Sequence, residues 1–170
     1  MNTNTNKKAD ILIAENQIES LKLLSKVLEE QGYKVRQAID GEMALIAVEA
    51  ENALEHVRQK FSFKTRGLTI APRLRPETHT SQHEWWIAFD EVPVQLEQIA
   101  FEIDQQICKQ NHLYADLIEG KVIDRLKIIP IQAKAFETCL LKEGKIDGQN
   151  KIPILANHRN LVHRLAPYRC

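Results

Sequence analysis

The N-terminal part of the chain alternates short apolar strands with an amphipathic helix. Residues 11–14 form an apolar run that is typical of a buried parallel strand. Apolar side chains then recur with helical spacing over residues 18–28, and Gly32 follows as a stop signal. Residues 33–36 alternate apolar and polar positions. This pattern predicts the order strand, helix, strand.

The next apolar pattern predicts one long helix that begins near Glu42. No glycine or proline interrupts it before Phe61. The character of the sequence changes near residue 51, inside this helix, and no Pro-, Gly- or Ser-rich linker marks the change. We therefore divide the chain into a disordered polar tail (1–9), an N-terminal segment (10–51) and a second domain (52–170).

The second domain reads as a small sheet with helices. Strands are predicted near 68–74 and 84–90 as a hairpin, with a third near 122–131. Helices are predicted over 94–112 and 133–143, with a short one around 160–165. The predicted class is α+β: a small mixed sheet backed by helices after an incomplete βαβα start. The N-terminal strands either extend this sheet or form an adjoining layer. We favour extension because it covers open strand edges.

Composition limits the possible partners. Lys+Arg and Asp+Glu number 23 each, so the chain has no excess of basic residues that would indicate nucleic-acid binding. No apolar run is long enough for a membrane span or a signal peptide. The cysteines are odd in number and far apart, as expected for free thiols in a reducing compartment. We expect a cytoplasmic protein that binds neither nucleic acid nor membrane.

Residues 10–51 resemble the opening of a two-component response regulator receiver domain. The similarity lies in residues 11–17, 32–35 and 40–45. Receivers accept a phosphoryl group on an aspartate, but no aspartate occurs between Asp40 and Asp90. Two adjacent acids usually hold Mg²⁺, and here Glu15 stands beside Asn16, so Glu15 is only a remnant of a metal site. We expect no phosphoacceptor and no bound metal.

A second resemblance covers about residues 52–165. Residues 83–89, Phe136 and the motif 148–153 (Gly-Gln-Asn-Lys-Ile-Pro), followed by Asn157 and Arg159, are similar to the C-terminal domain of the auxin-responsive acyl-acid amido synthetase family in its bacterial form. Such enzymes adenylate a carboxylic acid with ATP and pass the acyl group to an amine. In them the small domain moves over a large domain that binds the nucleotide. One departure is Ile154, where the family commonly has a basic residue.

This resemblance implies a nucleotide-phosphate edge formed by Gly148, Gln149, Asn150 and Lys151, with Lys151 catalytic only beside a large domain. A lysine in a glycine-flanked loop can stabilise negative charge that develops on phosphate. The simpler interpretation is an exposed turn lysine. No P-loop and no G-x-G-x-x-G motif occurs in the sequence. We expect no enzyme activity from the chain alone, and ATP and Mg²⁺ only after assembly with a large adenylating domain.

Trp85 and Trp86 are neighbours on a predicted strand, so they point to opposite faces of the sheet. Trp85 belongs to the core with Ile87 and Phe89. Trp86 then needs another cover, and we predict that it is an interaction surface for the N-terminal segment or for a partner.

Three functional hypotheses follow. The first is a non-catalytic accessory or interaction module, in which an incomplete receiver precedes the cap domain of an amido synthetase-like protein. The alternative is a detached C-terminal subdomain that completes an ATP-dependent acyl-adenylating synthetase with a separate large subunit. A weaker alternative is a phosphorelay component. In the first two, the partner is a protein that carries the adenylating domain.

Overall fold

A computed structural model describes residues 9–15, 17–38, 41–77, 80–142, 152–156 and 159–170. The chain divides into two compact units, Met1–Val48 and Glu49–Cys170. This division falls close to residue 51, where the sequence pattern changes. Among the described residues, no helix is both long enough and apolar enough to cross a membrane.

The first unit contains strand β1 (Asp10–Ala14), helix α1 (Ile18–Glu30) and strand β2 (Lys34–Ala38). β1 and β2 pair in parallel and form their own two-stranded sheet. The favoured prediction, that these strands extend the second sheet, is therefore wrong. Parallel strands need a crossover connection between them, and α1 supplies it. The backbone groups of β1 and β2 can therefore hydrogen-bond to each other. Gly32, at φ 80°, makes the turn from α1 into β2.

Helix α2 (Gly41–Phe61) is continuous, as the absence of breakers predicted. Its second half buries an apolar stripe with helical spacing, made of Ala50, Ala53, Leu54 and Val57. Ala53 and Val57 are fully enclosed, because the small side chain of Ala53 lets the helix lie close to its neighbours. This stripe is part of the main hydrophobic cluster of the second unit.

The second unit is built on a three-stranded sheet in the order β3-β4-β5. β3 (Thr65–Arg75) and β4 (Thr80–Phe89) form the predicted antiparallel hairpin, and β5 (Ile123–Ile131) pairs with β4 in parallel. The predicted α+β class, with a small mixed sheet backed by helices, is confirmed.

β3 is longer than the sequence suggested and runs through Pro72. The N–H of Ile70 points away from β4, because it donates to a carbonyl outside the sheet, that of Ile154, at 2.6 Å. Pro72, two residues further on, also turns its nitrogen outward, so it interrupts no hydrogen bond to β4. An edge strand can therefore accommodate this proline.

The predicted helix 94–112 corresponds to α3 (Leu96–Gln110), and it is followed by a helix that the sequence analysis did not predict, α4 (His112–Glu119). Asn111 separates them in an extended conformation (φ −130°, ψ 100°). Its backbone N–H still donates to Ile107 O at 2.8 Å, and its side-chain oxygen accepts from Tyr114 N at 3.0 Å. Asn111 thus ends one helix and caps the next.

Helices cover both faces of the sheet. Helices α2, α3 and α4 contribute to the cluster that contains Trp85, Ile87 and Phe89. Helices α5 (Ala135–Lys142) and α6 (Asn160–Leu165), followed by a 3-10 turn (Ala166–Tyr168), contribute to the cluster on the opposite face. That second cluster consists of Ala71, Trp86, Ala88, Ile129, Ile131, Ala135, Phe136, Cys139, Ala156, Leu161, Val162 and Leu165.

Candidate functional site

The predicted nucleotide-phosphate edge, residues 148–151, lies outside the described residues, and description resumes at Ile152. Glu15 is described and is half-buried at the end of β1, where its Oε1 accepts from Gln17 N at 2.9 Å. Asn16 lies outside the described residues. Within the described ranges, no group of three or more His, Cys, Asp or Glu side chains is arranged to hold a metal ion.

The segment that follows Lys151 in the chain is fixed to the sheet. Residues 152–156 run beside the outer edge of β3, with a parallel bridge between Ile70 and Leu155. Ile70 donates to Ile154 O at 2.6 Å, and Ala156 donates to Ile70 O at 2.8 Å. The hydroxyl of Thr69, which is fully buried, donates to Pro153 O at 2.7 Å. Three hydrogen bonds therefore hold this segment, which we call the anchor segment (152–156).

Close to the anchor segment, β4 carries a buried carboxylate. Glu84 is 0 % exposed. Its Oε1 accepts from Arg73 at 3.0 Å, and its Oε2 accepts from Arg159 at 2.7 Å. The indole N–H of Trp86, two residues along the same face of β4, donates to Oε2 at 3.3 Å. We call Arg73, Glu84, Trp86 and Arg159 the Glu84 cluster.

The Glu84 cluster keeps its carboxyl group ionised. Burial alone raises the pKa of Glu84, but the hydrogen bonds from Arg159 and Arg73 outweigh it and bring the pKa below the ordinary value. Charge-assisted hydrogen bonds of this kind are stronger than neutral ones. The cluster therefore presents a charged, fully hydrogen-bonded core to the helices that cover it.

Arg159 connects the Glu84 cluster to the edge of the sheet. One of its guanidinium nitrogens donates to Glu84, and another donates to Pro72 O at 2.8 Å. The same side chain thus contacts β3 and β4. The sequence singled out Arg159 as part of a family motif, but its partners lie more than seventy positions away in the chain (|i−j| 75 and 87). Asn157, named with it in the motif, lies outside the described residues.

The structure corrects the prediction for Trp86. The two tryptophans do lie on opposite faces of the sheet, as strand geometry predicted, but both are buried. Trp86 is 0 % exposed, and the guanidinium of Arg169 lies 4.6 Å from its ring centroid. Helices α5 and α6 and the anchor segment cover this face, so Trp86 offers no interaction surface. The prediction that it does is wrong.

A second buried carboxylate holds α3, α4 and β5 together. Asp104 is 0 % exposed and accepts from Tyr114 OH at 2.6 Å, from Arg125 at 3.2 Å and from Leu126 N at 3.4 Å. Burial, together with Asp104, raises the pKa of Tyr114. His83 stacks on the Tyr114 ring, with centroids 6.0 Å apart, and burial lowers the pKa of His83. Both rings are therefore uncharged near neutral pH, as suits a packed junction.

Sequence reasoning named neither Glu84 nor Asp104 as a buried charge. Each does leave a trace in the sequence. Glu84 is an acid directly before five apolar residues on β4, and Asp104 directly follows Ile103 on the buried side of α3. An acid inside an apolar pattern indicates a buried ion pair, because an unpaired charge would be too costly there. Its partners, however, are set by the fold.

Residues 48–160 match the GH3 family C-terminal domain. The chain therefore belongs to this family, and the resemblance of the second domain to the amido synthetase C-terminal domain is confirmed. The N-terminal resemblance to a receiver gains no support from the comparisons. The search of curated protein sequences gives no match.

Two solved structures share the fold. A structure titled GH3.15 acyl acid amido synthetase matches with a TM-score of 0.56 and 14% identity, over 72% of this chain and 22% of that chain. Another, titled AtGH3.15 acyl acid amido synthetase in complex with 2,4-DB, matches with a TM-score of 0.55 and 12% identity, over 73% of this chain and 23% of that chain. This chain thus spans less than a quarter of each synthetase.

Proposed function

We propose that this chain is a C-terminal module of the acyl acid amido synthetase type that does not catalyse adenylation by itself. The observation that carries the proposal is the match of residues 48–160 to the GH3 C-terminal domain, in a chain that spans less than a quarter of two synthetases. The module acts by contact with a protein that carries the adenylating domain, as an accessory or interaction module.

Acyl adenylation divides between the protein that carries the adenylating domain and the C-terminal module. In acyl adenylation a carboxylate oxygen attacks the α-phosphorus of ATP, and pyrophosphate leaves. The large domain binds ATP, Mg²⁺ and the acid. A cap adds positive charge and N–H donors where negative charge develops on the phosphate. Family resemblance gives this task to Gly148, Gln149, Asn150 and Lys151, with Lys151 as the charged group.

A second version is a detached subdomain that completes a synthetase with a separate large subunit. The observation that favours it is the anchor segment. The described residues after Lys151 make three hydrogen bonds with β3, so the chain that follows the motif is fixed to the sheet.

The test of the second version is reconstitution. The chain is mixed with a candidate large domain of a GH3-type synthetase, ATP, Mg²⁺ and a carboxylic acid, and pyrophosphate release is followed. We expect release above that of the large domain alone, and we expect Lys151→Ala to abolish the increase. Lys134→Ala, at an exposed lysine of the same module, is the matched control and should not alter it. If the two proteins bind without any gain in release, only the accessory role stands. If they do not bind, the detached-subdomain version is excluded.

For the first unit we propose a receiver-like start that carries no phosphoryl group. The parallel pairing of β1 and β2 around α1, with Glu15 after β1, supports this reading. After incubation with acetyl phosphate and Mg²⁺, the intact mass should not change. A stable phosphoryl adduct would instead support the phosphorelay alternative.

A further inference from the structure

Arg159 continues the hydrogen-bonding ladder at the outer edge of β3. Along that edge the outward carbonyls are those of Ile70 and, two residues on, Pro72. Ile70 O accepts from the backbone N–H of Ala156 at 2.8 Å, and Pro72 O accepts from the side chain of Arg159 at 2.8 Å. The guanidinium thus replaces the backbone donor that a longer strand would supply.

We propose that Arg159 is a positioning residue that fixes the anchor segment on β3, and with it the point at which the chain leaves the sheet toward Lys151. The catalytic consequence rests on the proposed function, but the positioning itself does not. Ile152, where description of the chain resumes after Lys151, is the first residue of the anchor segment.

The chemistry of the contact requires arginine. Its planar guanidinium donates in two directions at once, to Pro72 O on β3 and to Glu84 Oε2 on β4. A lysine has a single nitrogen on a flexible stem and would have to serve both acceptors from one point. Glu84 in turn is held by β4 in the centre of the sheet. These two contacts, which we call the clamp, therefore connect the outer edge of β3, where the anchor segment lies, to the central strand β4.

The effect of losing the clamp should be local. Without Arg159, Glu84 still accepts from Arg73 and Trp86, so its charge remains paired. The contact with Pro72, by contrast, has no substitute among the hydrogen bonds of the described residues. We expect the anchor segment to open more often while β4 and its core stay closed.

The test uses hydrogen exchange of the full-length chain, followed by NMR. In Arg159→Met, the amides of Ile70 and Ala156 should lose protection by about tenfold, as expected for one lost charge-assisted hydrogen bond. The amides of Trp85 and Ile87 in β4 should change by less than about twofold. Arg159→Lys keeps the positive charge but not the planar guanidinium that donates in two directions. It should show the same loss of protection at Ile70 and Ala156, to a smaller extent.

Arg73→Met is the matched control, because it removes the other guanidinium from Glu84 without touching Pro72. Both arginine variants should shift the indole N–H resonance of Trp86, which reports the change at Glu84. Only Arg159→Met should lower the protection of Ala156. If Arg73→Met lowers it equally, the effect comes from Glu84 alone and the positioning role is wrong.

Two other outcomes would also overturn the inference. One is unchanged protection of Ala156 in Arg159→Met. The other is an equal loss at Ala156 and in β4, which would make Arg159 a general stability residue. Should Arg159→Met fail to fold, the same comparison in Arg159→Lys decides. None of these measurements needs ATP or a large domain, so failure of the proposed function would leave them intact. If the mixture with a large domain does release pyrophosphate, Arg159→Lys should release less than the unmodified chain, although Lys151 is unchanged.

Discussion

Glu84 shows how one residue can be both buried and charged. Its carboxylate is 0 % exposed, and three side chains donate to it: Arg73, Arg159 and Trp86. Because the two arginines remain partly exposed, their charges keep contact with water while the carboxylate does not. This arrangement lowers the cost of burying the pair, since only one of the charges loses its hydration fully.

The depressed pKa of Glu84 makes stability depend on acid in a defined direction. The folded chain favours the charged form, so the stabilisation is present above the ordinary value of 4.5 and is lost as pH falls through the folded pKa below it. Glu84→Gln should cost about 1–3 kcal/mol of unfolding free energy near pH 7. Urea unfolding of wild type and Glu84→Gln at pH 7 and near pH 3 measures this difference in unfolding free energy. The difference from wild type should shrink in acid, and a difference that stays constant would contradict the pairing described above.

Gly67 is required for a close approach of side chain to backbone. It lies at a β-bulge of β3, and a Cβ added to it would come within 2.7 Å of Cδ2 of Phe136 on α5. Gly67→Ala should therefore cost about 1–3 kcal/mol by overpacking. In a background of Phe136→Leu, which removes the ring, the same substitution should cost much less. Additive costs in a denaturation double-mutant cycle would show that this contact is not made.

At the scale of elements, Asn111 determines where α3 ends and α4 begins. Its side chain has two partners: its oxygen accepts from Tyr114 N, and its amide nitrogen donates to Glu49 Oε2 at 3.0 Å. Glu49, on α2, is 8% exposed. The amide therefore caps one helix and joins it to another, and only a side chain with both a donor and an acceptor does both.

Substitutions at Asn111 should separate these two tasks. Asn111→Asp keeps the acceptor for the cap but places a carboxylate against Glu49, and should cost about 1–3 kcal/mol. Adding Glu49→Gln supplies a donor from the other side and should recover most of that loss. Thermal or urea unfolding of the single and double variants measures this. Failure of the second substitution to recover stability would show that the amide bond to Glu49 is unimportant.

Some helices and strands could be predicted from the sequence and others could not. The α2 helix was predictable because helical spacing runs without a breaker to Phe61, and β4 because its apolar run can be read directly. The end of α3 was predicted to within two residues, but α4 beyond Asn111 was not predicted, because neither glycine nor proline marks a boundary between the two helices. The two contacts of Asn111, with Tyr114 N and with Glu49, become visible only in the fold.

The candidate site was readable only in part, for the same reason. The motif near Lys151 is local and therefore visible as sequence. The clamp at Arg159 is not, because Glu84 lies 75 positions away and Pro72 lies 87 away. Trp86 was misjudged because the sequence shows that it faces away from Trp85 but not what covers it. That cover comes from α5, α6 and the anchor segment, which all come later in the chain.

At the scale of the whole molecule, the second unit is a sheet with helices on both faces, and its fold is that of the GH3 C-terminal domain. Two of its buried carboxylates, Glu84 and Asp104, each accept three hydrogen bonds. The anchor segment, which follows Lys151 in the chain, is hydrogen-bonded to the outer edge of this sheet.

The most direct test is pyrophosphate release by the purified chain alone, with ATP, Mg²⁺ and a carboxylic acid. We predict no release above a blank without protein, at any concentration of the chain, because in the proposed function a partner supplies the adenylating domain. Release that rises in proportion to chain concentration and disappears in Lys151→Ala would contradict it.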